Sequence, residues 1–223
     1  MKAVNAILKR FGSSRIKQHI WDEEFVAGKW DYMDGQASDF SQQRDVVLDV
    51  VDKYSTGGDI LDLGCGIGRT GFEIASVYRS YVGVDISEVA VQKAKAILEN
   101  DVARAKQNRY LVADIAKFVP DRLFQVILFR ESVYYFSIRV VPKIFRRYAN
   151  YATPNGVIIL RLHDRGKYER IVEHVETNYR VLERRLQDGG NGIVIAFAPQ
   201  KPKKIVGIAS STEKGRPSHA RCR

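Results

Sequence analysis

Between residues 57 and 198 the chain alternates short apolar runs with longer stretches whose apolar residues recur every three or four positions, the respective signatures of strands and helices. The apolar runs predict strands over 59–63, 81–85, 109–113, 125–129, 156–162, 180–187 and 192–198. The periodic stretches predict helices over 70–78, 88–106, 138–151 and 168–178. Helical crossovers of this length are what parallel pairing of successive strands requires. The last two strands are joined only by Asp188-Gly189-Gly190-Asn191, too short for a crossover, so they must run antiparallel to each other. The expectation is a doubly wound α/β body: seven strands, mostly parallel with one antiparallel strand, and helices on both faces.

Residues 1–56 read as a helical preamble. Val4, Ile7, Leu8 and Phe11 fall on one face of a helix, and the first 20 residues carry Lys2, Lys9, Arg10, Arg15 and Lys17 with no acid. This arm reads either as a first helix packed on the body or as a weak contact with a membrane surface. The segment WDEEFVAGKWDYMDG (21–35) is rich in aromatics, and 39–54 reads as a helix with Val46, Val47, Val50, Val51 and Tyr54 on its stripe. Trp30 and Tyr32 lie where such a preamble can close over a bound ligand. Residues 199–223 have few large apolar side chains and many Ser, Lys, Arg and Pro, the composition of a disordered tail.

At 223 residues the chain suits one domain with one sizeable core. Its net charge of +10 raises the prospect of nucleic acid, but residues 199–223 account for +6 of that, leaving a mildly basic body and a nucleic-acid partner disfavoured. The two cysteines, Cys65 and Cys222, match neither a disulfide framework nor a metal site. No apolar run is long enough to span a bilayer and no secretory core is evident, so a cytoplasmic location is expected.

The sharpest chemical signal is Ile60-Leu61-Asp62-Leu63-Gly64-Cys65-Gly66-Ile67-Gly68, a strand that runs into alternating glycines and then a helix. Such a loop lets backbone approach a ligand closely. A nucleotide phosphate loop would need Lys then Ser or Thr after its last glycine, and a dinucleotide fingerprint would space its glycines differently. Asp62 beside the loop would repel a pyrophosphate and suits a cationic ligand. About 20 residues on, the second strand ends at Asp85-Ile86-Ser87, where a carboxylate can accept hydrogen bonds from two ribose hydroxyls. Ser87 is the better candidate to cap the following helix.

This series resembles the first motif of class I S-adenosylmethionine-dependent methyltransferases, acidic-x-G-x-G-x-G, filled by Asp62, Gly64, Gly66 and Gly68. The resemblance spans 57–198 and implies a Rossmann-like fold with S-adenosyl-L-methionine as cofactor. It implies Asp85 and Ile86 beside the ribose, Asp114 and Ile115 beside the adenine, and Arg130 on the donor side where the fourth strand ends. Gln125 departs from the family's usual acid at the start of that strand. No Asn-Pro-Pro-Tyr or Asp-Pro-Pro-Tyr sequence is present, which makes a nucleic-acid base a less suitable acceptor. Residues 21–35 and 131–135 are similar, more loosely, to bacterial small-molecule methyltransferases that include the nodulation N-methyltransferase group.

The expected acceptor is a small molecule, through a hydroxyl of a sugar or secondary metabolite. The alternatives are a small amine, an RNA or protein substrate held by the basic tail, or a catalytically silent S-adenosylmethionine-binding regulator. His163, ending the fifth strand, is the preferred general base, with Glu131 at the end of the fourth; both project toward the carboxyl edge of the sheet. Tyr134 and Tyr135 are expected to line the acceptor pocket.

Overall fold

Among the described residues, seven strands hydrogen-bond in the order β3-β2-β1-β4-β5-β7-β6. They are β1 (Asp59–Leu63), β2 (Ser80–Asp85), β3 (Asn108–Val112), β4 (Phe124–Arg130), β5 (Ala152–Leu162), β6 (Arg180–Leu186) and β7 (Ile193–Ala198). The architecture comes from a computed structural model that describes residues 2–30, 45–187 and 189–199. β1 to β5 pair in parallel, and β7 runs antiparallel to both β5 and β6, with Leu160 opposite Ile195 and Leu186 opposite Ile193. Every residue of β1 is buried, as expected of a strand covered on both faces.

The helices are α1 (Lys2–Phe11), α2 (Ser14–Val26), α3 (Val46–Ser55), α4 (Arg69–Glu73), α5 (Glu88–Glu99), α6 (Val102–Ala105), α7 (Val141–Ala149) and α8 (Glu169–Asn178). One face of the sheet packs on Ile144, Phe145 and Tyr148 of α7 and Val172 and Val175 of α8. The other packs on Val47, Val50 and Val51 of α3 and Val91 and Ala94 of α5. Strand order reverses between β1 and β4, and an open α/β sheet binds ligands in the crevice beyond the carboxyl ends of its strands at such a point. The glycine loop leaves β1 there, and Arg130-Glu131-Ser132 leaves β4.

Three helices differ from expectation. The stretch 70–78 is helical only through Glu73; beyond it the Asp52 carboxylate of α3 accepts hydrogen bonds from the backbone N–H of Ala75 and Ser76, 3.0 and 2.9 Å away, and holds the chain irregular. The stretch 88–106 breaks after Asn100 because Asp101 caps a second short helix, accepting from the Arg104 N–H at 3.0 Å. Over 138–151 the helix begins only at Val141, with Pro142 in its first turn, preceded by a 3₁₀ turn at Val133–Tyr135. The helix expected over 39–54 begins at Val46 under an Asp45 cap; residues 39–44 lie outside the described residues. The basic tail from residue 200 also lies outside them. No helix among the described residues is long and apolar enough to cross a membrane.

Candidate functional site

At the end of β1 the backbone turns through the left-handed region, with φ of +86° at Gly64, +54° at Gly66 and +81° at Gly68. An added Cβ would stand 2.4 Å from the Ser132 Cβ at Gly64 and 2.6 Å from the Tyr110 ring at Gly68. Neither position admits a side chain, in conformation or in space. Gly64→Ala is therefore expected to destabilise the fold by about 2–4 kcal/mol, read from urea unfolding, because left-handed strain and overpacking combine; an unchanged midpoint would contradict this packing.

Three carboxylates end the first three strands of the parallel half. Asp85 lines the cleft, and its Oδ2 accepts from the Gly66 N–H at 2.8 Å and its Oδ1 from the Ser87 N–H at 2.9 Å. Each carboxylate oxygen has a second lone pair beyond the one so engaged. Burial pushes its pKa up, against the opposing effect of the backbone N–H groups of Ser87, Gly66 and Ile86. Ser87 caps α5 by accepting from the Ala90 N–H at 3.1 Å, leaving Asp85 free of that task. Asp114 lines the cleft beyond β3; its Oδ1 accepts from the Ala116 N–H at 2.9 Å and its Oδ2 from the Ser14 hydroxyl of α2 at 2.7 Å.

Asp62 is wholly buried beneath the glycine loop and does not line the cleft. Its Oδ2 accepts from the Tyr81 hydroxyl at 2.6 Å, while Oδ1 has no hydrogen-bond partner among the described residues. Burial raises its pKa to about 6, with the Tyr81 hydrogen bond and the Arg130 charge opposing. Gly68 likewise stands behind the cleft wall, against Tyr110.

The end of β4 carries a denser network. Arg130 faces the cleft, but its guanidinium is committed: Nη2 donates to Asp45 at 2.8 Å, and Nη1 to the Thr70 hydroxyl at 3.2 Å and to Glu73 at 3.5 Å. Burial favours losing its proton, yet the charges of Asp45 and Glu73 more than offset this and hold the group cationic. Arg130 thus ties α3 and α4 to β4. Glu131 has φ +56°, the left-handed region, the sole non-glycine so placed among the described residues. Such strain concentrates at functional sites. Its Oε1 pairs with Arg161, and its Oε2 accepts from the Tyr134 hydroxyl at 2.7 Å and meets His163 Nδ1 at 2.6 Å.

His163 and Tyr134 stand outside the cleft lining, behind Glu131, which is in it. The Tyr134 and Tyr168 rings stack at 4.4 Å and the imidazole packs edge-on to both. His163 is therefore a partner of a cleft residue rather than a wall of the cleft.

Helices α1 and α2 cover the opening. Asp22 of α2 accepts from the Ser87 hydroxyl at 2.7 Å and the Val89 N–H at 3.2 Å, and Phe25 packs with Ile67 and Ala90. The Trp21 ring meets Tyr135 edge-on at 4.7 Å. The result is a cleft, open to solvent, that brings together Trp30, Gly64, Gly66, Asp85, Ile86, Asp114, Ile115, Arg130, Glu131 and Tyr135, all singled out in the sequence. Tyr32 lies outside the described residues. Lys9, Lys17, Trp21, Phe25, Ser132 and Phe136 also line it and were not expected. Of these, Trp21 and Phe25 carried a usable signal, an i, i+4 aromatic pair on one helix.

A methyltransferase-domain family profile matches residues 55–209, the whole sheet and the glycine loop. The chain belongs to that family. It is a class I S-adenosylmethionine-dependent methyltransferase domain, and S-adenosylmethionine is its cofactor. Among curated relatives, phosphoethanolamine N-methyltransferase of Triticum aestivum is 31% identical over 115 residues, 51% of this chain and 22% of the relative. The matched segment thus spans about a fifth of the relative's length. Among solved structures, N-methyltransferase NodS from Bradyrhizobium japonicum WM9 is 15% identical with a TM-score of 0.57, covering 69% of this chain and 93% of that one. Magnesium protoporphyrin IX methyltransferase (ChlM) from Synechocystis PCC 6803, with S-adenosylmethionine bound, is 16% identical with a TM-score of 0.61, covering 82% and 97%. Likeness at this level is likeness of fold, and the methyltransferase acceptor must be argued from the cleft.

Proposed function

We propose that this chain transfers a methyl group from S-adenosylmethionine to the nitrogen of a small amine held at the mouth of the cleft. One observation carries the choice of amine: the cleft wall already holds an alkylammonium group. Lys9 Nζ lies 3.5 Å above the Trp21 ring and 2.5 Å from Glu24 Oε2, a cation on an aromatic face beside a carboxylate. Burial pulls the Lys9 pKa down, against the attraction of Glu24. An amine acceptor meets the same chemistry at Trp30, Tyr135 and Glu131 on this wall. The N-methyltransferase named among the relatives supports the same reading.

On the donor side, Asp85 is assigned to the ribose hydroxyls with Ile86 beside it, Asp114 and Ile115 to the adenine surroundings, and Asp62 to favouring a cationic ligand through the field of its buried carboxylate. Gly64 and Gly66 supply close backbone approach, Gly68 the turn into α4, and Arg130 the fixed position of the loop. The donor supplies an activated methyl group, so the chain's tasks are to aim the acceptor and to accept one proton. Glu131 faces the cleft with His163 behind it, and the pair takes that proton. With the imidazole proton on Nε2, Nδ1 can receive from the Glu131 carboxyl the proton that Glu131 takes from the acceptor. Trp30, Tyr134 and Tyr135 are assigned to shaping the acceptor side.

The hydroxyl of a sugar or secondary metabolite is the second reading. The same Glu131–His163 contact favours it, because a hydroxyl needs a base more than an amine does. The deciding experiment offers labelled S-adenosylmethionine to the purified protein with panels of small amines and of sugars, and locates the methyl group by mass spectrometry. Methyl recovered on nitrogen is expected; methyl on oxygen alone would transfer the assignment to the second reading. Donor binding without any product would favour the regulator instead. His163→Ala is expected to lower kcat about tenfold or more while leaving affinity for S-adenosylhomocysteine within about twofold, because the side chain lies off the donor surface. Loss of donor affinity in that variant would contradict the assignment.

A further inference from the structure

Helix α1 is turned inside out. Lys9 faces into the cleft, whereas Val4, Ile7 and Phe11, on the opposite side, are 57%, 59% and 68% exposed. At 3.6 residues per turn, positions 4, 7 and 11 share one face and position 9 points away from it. A helix that stabilises a soluble body buries such a stripe; here the body takes the lysine and leaves the stripe in solvent. The patch continues past the bend at Gly12, where a Cβ would lie 3.1 Å from the side chain of Ile16, itself exposed. Arg10 and Arg15 are exposed beside it, and residues 1–20 contain no acid.

We infer that α1 docks on the surface of an anionic lipid bilayer, with Val4, Ile7 and Phe11 entering the acyl boundary and the basic side chains among the headgroups. A large apolar stripe flanked by cations without acids is the pattern that such a surface complements. Ten residues span about 15 Å, enough to lie in the interface and too short to cross it. Other occupants fit less well. The chain's own segment 200–223 is strongly basic, and a second copy would bring an equally basic helix, so like charges would meet in both cases. A nucleic acid would satisfy the cations but leave three large apolar side chains against phosphates.

Because Lys9 and the stripe belong to one helix, docking would set the cleft mouth at the lipid surface. This inference stands on the exposure and charge of α1 and does not depend on which acceptor the cleft takes.

The test is co-sedimentation of the full chain with phosphatidylcholine vesicles, with and without about 30 mol% phosphatidylglycerol, at low and high salt. Wild-type protein is expected to partition onto the anionic vesicles at least about tenfold better than onto the neutral ones. The double variant Ile7→Ser/Phe11→Ser is expected to lose about tenfold or more of that binding. The basic tail is present in both proteins, so any purely electrostatic share it contributes cancels in the comparison. Both substituted residues are exposed and off the cleft, so calorimetric binding of S-adenosylhomocysteine should be unchanged, which certifies the fold. Equal vesicle binding by wild type and variant, or no binding by either, overturns the proposal. So does a concentration-dependent dimer in sedimentation velocity that the double substitution abolishes without a vesicle effect, since a second copy would then cover the face.

Discussion

Asp85→Ala is expected to weaken S-adenosylmethionine and S-adenosylhomocysteine binding by about 100-fold or more, measured by calorimetric titration. The carboxylate already accepts one backbone N–H on each oxygen, from Gly66 and Ser87, so its position is fixed before any ligand arrives. One lone pair per oxygen remains for a ribose hydroxyl, and a hydrogen bond to a charged group contributes about 1.5–3 kcal/mol. Two such bonds lost together correspond to at least two powers of ten in Kd. Both ligands should suffer alike, because they share the ribose and differ at the sulfur. Asp85→Asn keeps the shape and one acceptor, and is expected to fall between wild type and alanine. Substitution also strips the Gly66 and Ser87 N–H groups of their acceptor, so thermal unfolding must accompany the titration. A folded alanine variant with affinity within about threefold of wild type would remove Asp85 from the ribose.

What could be read from the chain beforehand divides along the sequence separation of the contacts. The strands were legible because their pattern is set by burial on both faces, a local signature that Ile60 or Ile127 carries alone. Helix ends were not, where the deciding partner is remote: Asp52 lies 23 residues from the Ala75 N–H that it holds out of a helix. The same holds at the site. Gly64, Gly66 and Asp85 belong to short motifs whose backbone demands are written in place.

Glu131 and His163 were reachable through topology, since β4 and β5 are neighbours and Arg130 pairs with Arg161 in register, which carries both chain ends to one edge. Nothing local announces that Ser14 reaches Asp114, 100 residues away, or that Lys9 turns into the cleft. Indeed the apolar stripe of α1 argues by itself for the opposite orientation. Arg130 illustrates a further limit: its place at the strand end was legible, but its guanidinium is occupied by Asp45, Thr70 and Glu73 from two other elements.

Asp62→Asn is expected to stabilise the unliganded protein at neutral pH and to weaken its hold on S-adenosylmethionine at the same time. The native pKa of about 6 exceeds the ordinary carboxylate value of 3.8, so between those values the folded state binds more protons than the unfolded one. Stability contributed by this group therefore falls as pH rises through that window, and stays low above it. The penalty for burying the charge is on the order of 3 kcal/mol, and asparagine avoids it while its carbonyl can still accept from the Tyr81 hydroxyl. A gain of about 1–2 kcal/mol in urea unfolding is expected at neutral pH, shrinking toward zero near pH 4, where Asp62 is protonated in the native state. Oδ1 of this carboxylate has no hydrogen-bond partner among the described residues, and on the proposed placement of the donor a sulfonium above the glycine loop would recover part of the penalty. Wild-type affinity for the cationic donor should accordingly fall as pH drops through about 6, while the affinity of Asp62→Asn should be lower and nearly flat. If the variant bound the donor like wild type and the pH dependence survived, the buried charge would have no part in recognition and its cost would need another explanation.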